Sequence, residues 1–196
     1  MVEINTAWQK DLELSQRVLA GNAQAFAEIV KNHQRLVWHM AWRMLQHRQE
    51  AEDCSQEVFL RVHQSLKQYR GESALATWIG RVAFSVALRM AQKRKLRLDI
   101  PSDFEPELAF EHIGSSEDVQ SSHAEEEQMQ ALYAAIEQLP SLPRTVLSLH
   151  YRDGLAIAEI ANMLDCPEGT VKSHLNRGRN RLKIALAHME AIYAQL

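Results

Sequence analysis

The hydrophobic residues of this chain recur at the spacing of α-helices along most of its length. Apolar side chains fall three and four residues apart from Phe26 to Leu45, which predicts a helix of about five turns. Asn22 precedes this helix in the position of an N-cap, and a shorter helix is predicted before it over Asp11–Ala20. Trp38 and Trp42 lie four residues apart beside the apolar stripe, either as core residues or as part of a partner surface.

A third helix is predicted over Gln49–Gln68, and its two faces differ in chemistry. At about 100° per residue, the apolar and small residues cluster on one side: Ala51, Cys54, Val58, Val62 and Ser65. The opposite side combines acids, an amide and one apolar residue: Asp53, Gln56, Glu57 and Leu60. An acidic face does not suit phosphate binding. It is either solvated surface or a docking face for a basic protein partner.

A fourth helix is predicted from Leu75 onward. Its core-facing residues are Leu75, Ile79, Val82, Val86 and Met90. A polar and mostly basic line follows the other side: Arg81, Ser85, Arg89 and Lys93, continuing into Arg94, Lys95 and Arg97. Such a line suits the backbone of a nucleic-acid strand, and aromatic rings stack on unpaired bases. Tyr69, in the preceding loop, is the candidate ring, whereas Trp78 and Phe59 are predicted in the core and Phe84 fits either place.

The C-terminal part of the chain is also predicted to be helical. Two short helices run over residues 132–139 and 142–149, and the second ends at Asp153-Gly154, where glycine allows a left-handed stop. A tighter pair follows between Leu155 and Lys183. The first of its apolar stripes is Ile157, Ile160, Ala161 and Leu164, and the second is Val171, Leu175, Leu182 and Leu186. Gly178 falls in line with the second stripe, where close packing leaves no room for a side chain.

Two helices joined by so short a turn form a helix-turn-helix, whose second helix can lie in the major groove of DNA. Pro167 fits the first position of that second helix, directly after Cys166, because its missing N–H has no partner there in any case. The helix is basic, and no acid occurs between Thr170 and Met189. Its cations are Lys172, Arg177, Arg179, Arg181 and Lys183. The pattern predicts phosphate contacts, with a solvated basic face as the alternative.

The charges divide the chain into three parts, although its 196 residues have a net charge of only −3. Residues 1–95 contain 14 basic and 9 acidic side chains, residues 96–125 contain 1 and 8, and residues 126–196 contain 7 and 8. The middle part is rich in acids and serines and cannot bury a core, which predicts a flexible linker. We therefore predict an all-α protein with domains at 1–95 and 126–196 joined by an acidic linker at 96–125.

Several function classes find no support in the sequence. No run of eighteen apolar residues and no basic-then-apolar leader occurs, which predicts a cytoplasmic protein without membrane insertion. Cys54 and Cys166 form no Cys-x-x-Cys pair and are predicted to be reduced, packed thiols. The nine histidines are scattered, so neither a metal site nor a cofactor is predicted. There is no phosphate-binding glycine loop or nucleophile elbow, so we expect no enzyme and no catalytic residue.

Two stretches of the chain resemble a known family. The string AEDCSQEVFLRVH, the loop YRGES at 69–73 and ATWIGRVAFSVA resemble bacterial RNA polymerase sigma factors of the extracytoplasmic-function (ECF) group, within the sigma-70 family. The string LPSLPRTVLSLHYRDGLAIAEIANMLDCPEGTVKSHLNRGRNRL resembles the second conserved domain of the same family. Both motifs occur in the family's order, with an acidic segment between them. Together they cover roughly residues 22–95 and 126–190.

The resemblance implies a role for each surface. The acidic face, Asp53, Gln56 and Glu57, would bind the β′ coiled coil of core RNA polymerase, and the β flap is a further expected contact. The loop and fourth helix would read the minus-10 element and hold the melted strand; the residues implied are Tyr69, Arg81, Ser85, Arg89, Lys93 and Arg94. The helix-turn-helix would read the double-stranded minus-35 element; the residues implied are Thr170, Lys172, Ser173, His174, Asn176, Arg177, Arg179 and Arg181. An inhibitory anti-sigma factor is an expected partner.

Three positions depart from the family pattern. Ser85 stands where Asn is common and His174 where Arg is common, so the preferred promoter bases are expected to differ. Asp165 occupies a turn position that usually contains glycine, at some cost in left-handed backbone geometry.

Two other functions are consistent with parts of the pattern. A self-standing helix-turn-helix regulator would bind operator DNA as a dimer, but it would need neither the N-terminal half nor its acidic face. An adaptor whose N-terminal half binds only protein would leave the basic helices unexplained.

Overall fold

The computed structural model of the protein describes residues 6–97 and 132–193, and all regular structure in these two segments is helical. The first segment contains α1 (Thr6–Leu19), α2 (Ala23–Leu45), α3 (Arg48–Ser65), a 3-10 turn (Leu66–Gln68) and α4 (Leu75–Arg97). The second contains α5 (132–137), α6 (Ser141–Leu147), a π-helical turn (Ser148–Arg152), α7 (Ile157–Leu164) and α8 (Glu168–Tyr193). The predicted all-α class is confirmed. Beyond residue 97, the predicted linker lies outside the described residues.

The N-terminal unit is a bundle of α2, α3 and α4 with α1 packed beside it. Its core contains the predicted stripes, including fully buried Ile29, Val37, Met40, Val58, Val62 and Ile79. The Asn22 side chain accepts a hydrogen bond from the Ala25 N–H at 3.0 Å, which confirms the predicted N-cap. Trp38 and Trp42 are half-buried and stack with ring centroids 6.2 Å apart. α1 begins five residues before the predicted start at Asp11.

The C-terminal unit packs α6 and α7 against α8. The two apolar stripes of the helix-turn-helix predicted the contact between α7 and α8. Val146, Leu149, Ile160 and the α8 residues Val171 and Leu175 form its buried centre. A Cβ added at Gly178 would lie 2.5 Å from Leu147 Cδ1, so the close approach predicted at this glycine is confirmed. Gly154 has φ +71°, as predicted for a left-handed stop.

The two units pack directly against each other, and their buried residues form one continuous core. α4 contacts α7, and α2 contacts α6. At the first contact, Met163 lies over Gly80, where an added Cβ would be 2.7 Å from the Met163 sulfur. At the second, the Thr145 hydroxyl donates to the Met44 sulfur at 3.4 Å. Small and flexible side chains therefore allow the helices of the two units to approach closely.

Buried charges also join the units. The Arg43 guanidinium donates to both carboxylate oxygens of Asp153, at 2.7 and 3.0 Å, although the residues are 110 positions apart. Arg144 donates from Nε to the Arg43 carbonyl at 2.9 Å. Only 5% of Arg43 and 6% of Arg144 is exposed. The charge pattern indicated two units on a tether, and this docked arrangement is a feature that it did not predict.

Candidate nucleic-acid interface

The turn between α7 and α8 has the geometry of a helix-turn-helix. α7 ends at Leu164, and its C-cap Asp165 has a left-handed backbone with φ 51° and ψ 50°. The Cys166 N–H then donates to the Ala161 carbonyl at 3.1 Å, which closes the turn. Pro167 follows, and its carbonyl accepts from the N–H groups of Thr170 and Val171. Asp165 therefore adopts the conformation that glycine usually provides at this position.

The second helix of this motif, α8, buries its apolar stripe and exposes its polar residues. Val171 and Leu175 are almost completely buried against α6 and α7. Six of the eight residues predicted at the minus-35 element are exposed: Thr170, Lys172, Asn176, Arg177, Arg179 and Arg181. The other two, Ser173 and His174, are half-buried. Lys172 pairs with Glu168 at 3.5 Å, and the Arg179 guanidinium lies 5.7 Å from the centre of the Tyr151 ring.

The acidic face of α3 lies on the outside of the N-terminal unit. Asp53 and Gln56 are exposed, and Glu57 is half-buried beside Arg61, to which it pairs at 2.5 Å. Leu60, on the same face, is 59% exposed. A carboxylate face around an exposed leucine is suited to a protein partner with basic and apolar groups.

Between α3 and α4 lies a cleft of about 640 Å³. Arg61 and Lys67 line one wall, and Trp78, Arg81 and Ser85 line the other. The cleft therefore combines cations with an indole ring, the two kinds of group that bind a phosphate backbone and an unstacked base. Trp78 was predicted in the core; it packs against the core and is half-buried, with part of its ring at the cleft wall. Its position at the cleft wall follows from the packing of α3 against α4, which periodicity alone does not specify.

The predicted minus-10 residues do not all lie on this surface. Arg81, Ser85, Arg89 and Lys93 are exposed along one side of α4, as expected. Arg81 also donates from Nε to the Asn162 carbonyl of α7 at 3.0 Å, so the docked C-terminal unit covers part of the cleft's rim.

Tyr69 and Arg94 lie elsewhere than predicted. Tyr69 is only 6% exposed; its hydroxyl donates to the Ser73 carbonyl at 2.8 Å, and its ring lies 5.8 Å from that of Trp78. Arg94 donates to the Leu45 carbonyl and to Glu50, at 3.1 and 3.3 Å. In this arrangement both side chains support the fold rather than the polar surface. Phe84, which fitted either place, is buried.

The two thiols are free and packed, as predicted. Cys54 is buried in the core, and its burial, reinforced by Glu57, raises its pKa to about 12. Burial and the neighbouring Asp165 also raise the pKa of Cys166. Neither thiol therefore has the lowered pKa of a reactive cysteine. Within residues 6–97 and 132–193, no three potential metal ligands converge, and no helix is long and apolar enough to cross a membrane.

Comparisons with known proteins place both units in one family. Residues 29–97 match the family described as Sigma-70 region 2, and residues 129–182 match Sigma-70, region 4. The RNA polymerase sigma-H factor of Pseudomonas aeruginosa is 33% identical over 185 residues, which are 91% of this chain and 94% of that protein. The chain belongs to the sigma-70 family. The ECF RNA polymerase sigma-E factor of Escherichia coli K12 is also 33% identical, over 88% of this chain and 92% of that sigma factor. The present chain belongs to the same ECF group.

Solved structures show the same fold. The sigma factor RpoE of Bartonella quintana, in complex with the anti-sigma factor NepR, superposes with a TM-score of 0.65 at 20% identity, over 84% of this chain and 98% of that one. CnrH, in complex with the cytosolic domain of CnrY, gives a TM-score of 0.61 at 16% identity, over 89% and 96% of the two chains. Like the other members of its family, this sigma factor directs RNA polymerase to promoters.

Proposed function

We propose that this sigma factor uses three separate surfaces in transcription initiation. The acidic face of α3 binds the β′ coiled coil of core RNA polymerase, α8 reads the minus-35 duplex, and the cleft between α3 and α4 binds the melted minus-10 strand. The observation that supports this assignment best is the cleft itself, because its cations and indole ring suit a single strand, whereas a helix-turn-helix alone suits duplex DNA. A regulator that only binds operators needs no such cleft.

The cleft suits a melted strand in its chemistry. Arg81, with Arg89 and Lys93 further along α4, provides a line of cations for the backbone. Trp78 offers a ring to an unstacked base, and Ser85 offers a hydroxyl beside it. Because Ser85 is short, its hydrogen bond to a base would require a closer approach than an Asn side chain would. The cleft therefore supports strand capture with its own base preference.

The minus-35 contact follows from the exposed residues of α8. Residues near the N-terminus of a recognition helix contact base edges, and here these are Thr170, Lys172 and Ser173. Further along, Arg177, Arg179 and Arg181 contact phosphates on either side of the groove, with Asn176 between the two groups and His174 at the half-buried edge. Base preference is thus assigned to the first turns and general affinity to the later ones.

The docked arrangement cannot contact both promoter elements at once. The two elements are named for positions −35 and −10, so they lie about 25 base pairs apart, which is ~85 Å of duplex at ~3.4 Å per base pair. α8, with 26 residues, is only about 39 Å long, and its unit lies directly on α4. Promoter binding therefore requires the two units to separate, so that Arg81 exchanges the Asn162 carbonyl for the nucleic acid.

The proposed mechanism includes no chemistry by the sigma factor itself. RNA synthesis belongs to the polymerase, and the sigma factor contributes binding and strand separation in the cytoplasm, where polymerase and promoter DNA meet. Its inhibitor would be an anti-sigma factor that holds the two units away from the polymerase. The β flap would be the second contact on the polymerase, reached by the C-terminal unit.

Run-off transcription with purified core polymerase tests this function. RNA that starts at defined sites only when the chain is present is the expected result. Replacing Asp53, Gln56 and Glu57 together by Ala should abolish assembly with core polymerase, because these side chains form the proposed docking face. Asp53 and Gln56 are exposed and Glu57 is half-buried, so the hydrophobic core of the unit should stay intact. Circular dichroism should show unchanged helix content. Glu28→Ala, at an exposed acid of α2, is the control and should assemble normally. Normal assembly of the triple variant would contradict the docking assignment.

The alternative function predicts different results in the same experiment. A self-standing regulator would bind a palindromic duplex tightly without polymerase and would start no RNA. The salt dependence of DNA affinity then distinguishes phosphate contacts of α8 from its base contacts. Arg177→Ala should weaken binding to many sequences and reduce the salt slope by about one, whereas Lys172→Ala should change which promoter is preferred.

A further inference from the structure

Helix α1 lies outside the part of the chain that matches Sigma-70 region 2, which begins at residue 29. It nevertheless contacts α2, α4 and the 3-10 turn before the cleft. The closest link is polar. The Asp11 carboxylate accepts the backbone N–H of Leu75, the first residue of α4, at 2.8 Å, across 64 positions of sequence.

This hydrogen bond caps the N-terminus of α4, which has no side-chain cap of its own. The first N–H groups of a helix have no partner within the helix, and its N-terminus has a partial positive charge that favours a nearby carboxylate. α4 has no acidic residue in its own first turn. The residue before it is Ala74, whose carbonyl accepts from Thr77 and Trp78 but whose side chain cannot act as a cap. Asp11 therefore acts as a cap supplied by another helix.

α1 also contacts the loop that leads into α4. Gly71 has φ +72°, and a Cβ added there would lie 3.6 Å from Leu12 Cδ1, so α1 packs directly on this turn. Tyr69 closes the same loop through its hydrogen bond to Ser73. Burial and the charge of Asp11 raise the pKa of Tyr69 to about 12, which agrees with a carboxylate close to the ring. α1 therefore contacts both the first residue of α4 and the loop that precedes it.

We propose that Asp11 is a positioning residue for the minus-10 cleft: by capping α4 from α1, it sets where Trp78 and Arg81 lie. Trp78 follows Leu75 by three residues, about one helical turn, and Arg81 follows Leu75 by six residues, about 1.7 turns. A shift or fraying of the first turn would move the indole out of the cleft wall, whereas α3 and α8 would stay in place. This inference rests on the proposed role of the cleft.

The test measures the affinity of the assembled holoenzyme for a single-stranded minus-10 oligonucleotide, by fluorescence anisotropy. Asp11→Ala should weaken this affinity about tenfold, the factor that corresponds to the ~1.4 kcal/mol expected of a helix cap. Asp11→Asn keeps the acceptor oxygen and should stay within about threefold of the parent. Glu13→Ala changes an exposed acid of the same helix and should have no effect. Core assembly and minus-35 duplex affinity should not change in any of the three variants.

A rescue experiment distinguishes positioning from a general loss of stability. In the Asp11→Ala background, Ala74→Asp places a capping carboxylate on α4 itself and should return the strand affinity to within about threefold of the parent. Failure of this rescue, or an equal loss of duplex and strand affinity in Asp11→Ala, would overturn the proposal. Trp78→Ala and Arg81→Ala test the cleft separately. If they leave strand affinity unchanged, the proposed minus-10 site is wrong; if only they reduce it and Asp11→Ala does not, the positioning role is wrong.

Discussion

Arg144 shows how much a single residue can depend on distant parts of the chain. Its guanidinium donates to the carbonyls of Arg43, Glu137 and Leu139, and it is almost completely buried. Burial lowers its pKa to about 10, which still leaves it charged at neutral pH. It therefore satisfies one carbonyl of the N-terminal unit and two carbonyls of its own unit. Nothing in the sequence around Arg144 distinguishes it from a surface arginine.

Arg144→Met should lower the free energy of unfolding by about 3 kcal/mol, because methionine replaces only the aliphatic part of the arginine side chain and leaves buried carbonyls without donors. Urea unfolding followed by circular dichroism measures this loss. The control is Arg17→Met, at an exposed arginine whose contact with Glu28 is 3.8 Å long, and it should change stability by less than about 0.5 kcal/mol. If Arg144→Met loses as little free energy of unfolding as the control, water molecules must form hydrogen bonds with these carbonyls in the variant.

At the residue scale, the sequence predicted side chains whose surroundings come from their own helix. Asp53 and Gln56 are exposed, and Asn22 caps α2, because helical periodicity and local capping specify both. The sequence did not predict the surroundings of Tyr69 and Arg94, which contact other helices. Whether a loop tyrosine turns inward depends on α1 and Trp78, and whether a terminal arginine meets solvent depends on the end of α2. Those neighbours are distant in sequence.

At the scale of one element, α8 has two glycines whose requirements differ. Gly178 faces Leu147, which is itself buried, whereas nothing lies within 4 Å of a Cβ added at Gly169. Both are helical positions, where alanine is intrinsically favoured by roughly 1 kcal/mol. Packing therefore decides the outcome at Gly178 and backbone propensity decides it at Gly169.

Gly178→Ala should destabilise the protein by about 1 kcal/mol or more, because overpacking against Leu147 exceeds the gain in helix propensity. Gly169→Ala should instead stabilise it by up to about 1 kcal/mol. Thermal unfolding of the two variants beside the parent measures both signs. If both variants stabilise the protein, then α6 can move away from α8 at no cost.

At the scale of the whole molecule, the Arg43–Asp153 pair joins the two units. Arg43 is buried, so removal of its partner leaves a charge without compensation in the docked arrangement, whereas separation of the units would return that charge to water. The pair therefore favours the docked arrangement only while both charges are present. The same interface covers part of the minus-10 cleft through Arg81 and Asn162.

Asp153→Asn should shift the free sigma factor toward separated units. Fluorescence energy transfer between labels at the exposed positions 92 and 180, in a Cys166→Ser background, should fall relative to the parent. Glu168→Gln breaks an exposed pair with Lys172 on α8 and should leave the transfer unchanged. Equal transfer in Asp153→Asn and the parent would mean that apolar contacts such as Met163 on Gly80 suffice for docking.

Acid should destabilise the docked fold through His39 on α2. Burial lowers its pKa below 6.5, as do Arg43, Arg152 and Arg35, and Asp153 opposes this shift. The unfolded chain then binds the proton more readily than the folded one. The contribution of neutral His39 to the free energy of unfolding is therefore fully present above about pH 6.5 and declines as the pH falls below it. Burial lowers the pKa of His33 in the same direction, against the opposing charge of Asp11.

Urea unfolding at pH 7.5 and pH 5.5 measures this dependence. His39→Gln should reduce the loss of stability at pH 5.5, and His33 accounts for part of the remainder. His63→Gln, at an exposed histidine of α3, is the control. A pH dependence that is identical in the parent and His39→Gln would show that the folded state protonates His39 without cost.

By itself, the sequence determined the helices of both units, the helix-turn-helix, the acidic face of α3 and the basic face of α8. All of these depend on residues within one or two turns of each other, where helical geometry converts spacing directly into position. The family resemblance was also present in the sequence, since it rests on ordered strings of residues.

Only the tertiary structure decided that the units dock, that Trp78 lines a cleft and that Asp11 caps α4. These depend on pairs such as Arg43 with Asp153 and Asp11 with Leu75, 110 and 64 residues apart. No periodic pattern encodes such a pair, because bringing the two residues together requires the packing of whole helices. The free energy that stabilises such a pair comes from the packing of the whole core and not from the local structure of either segment.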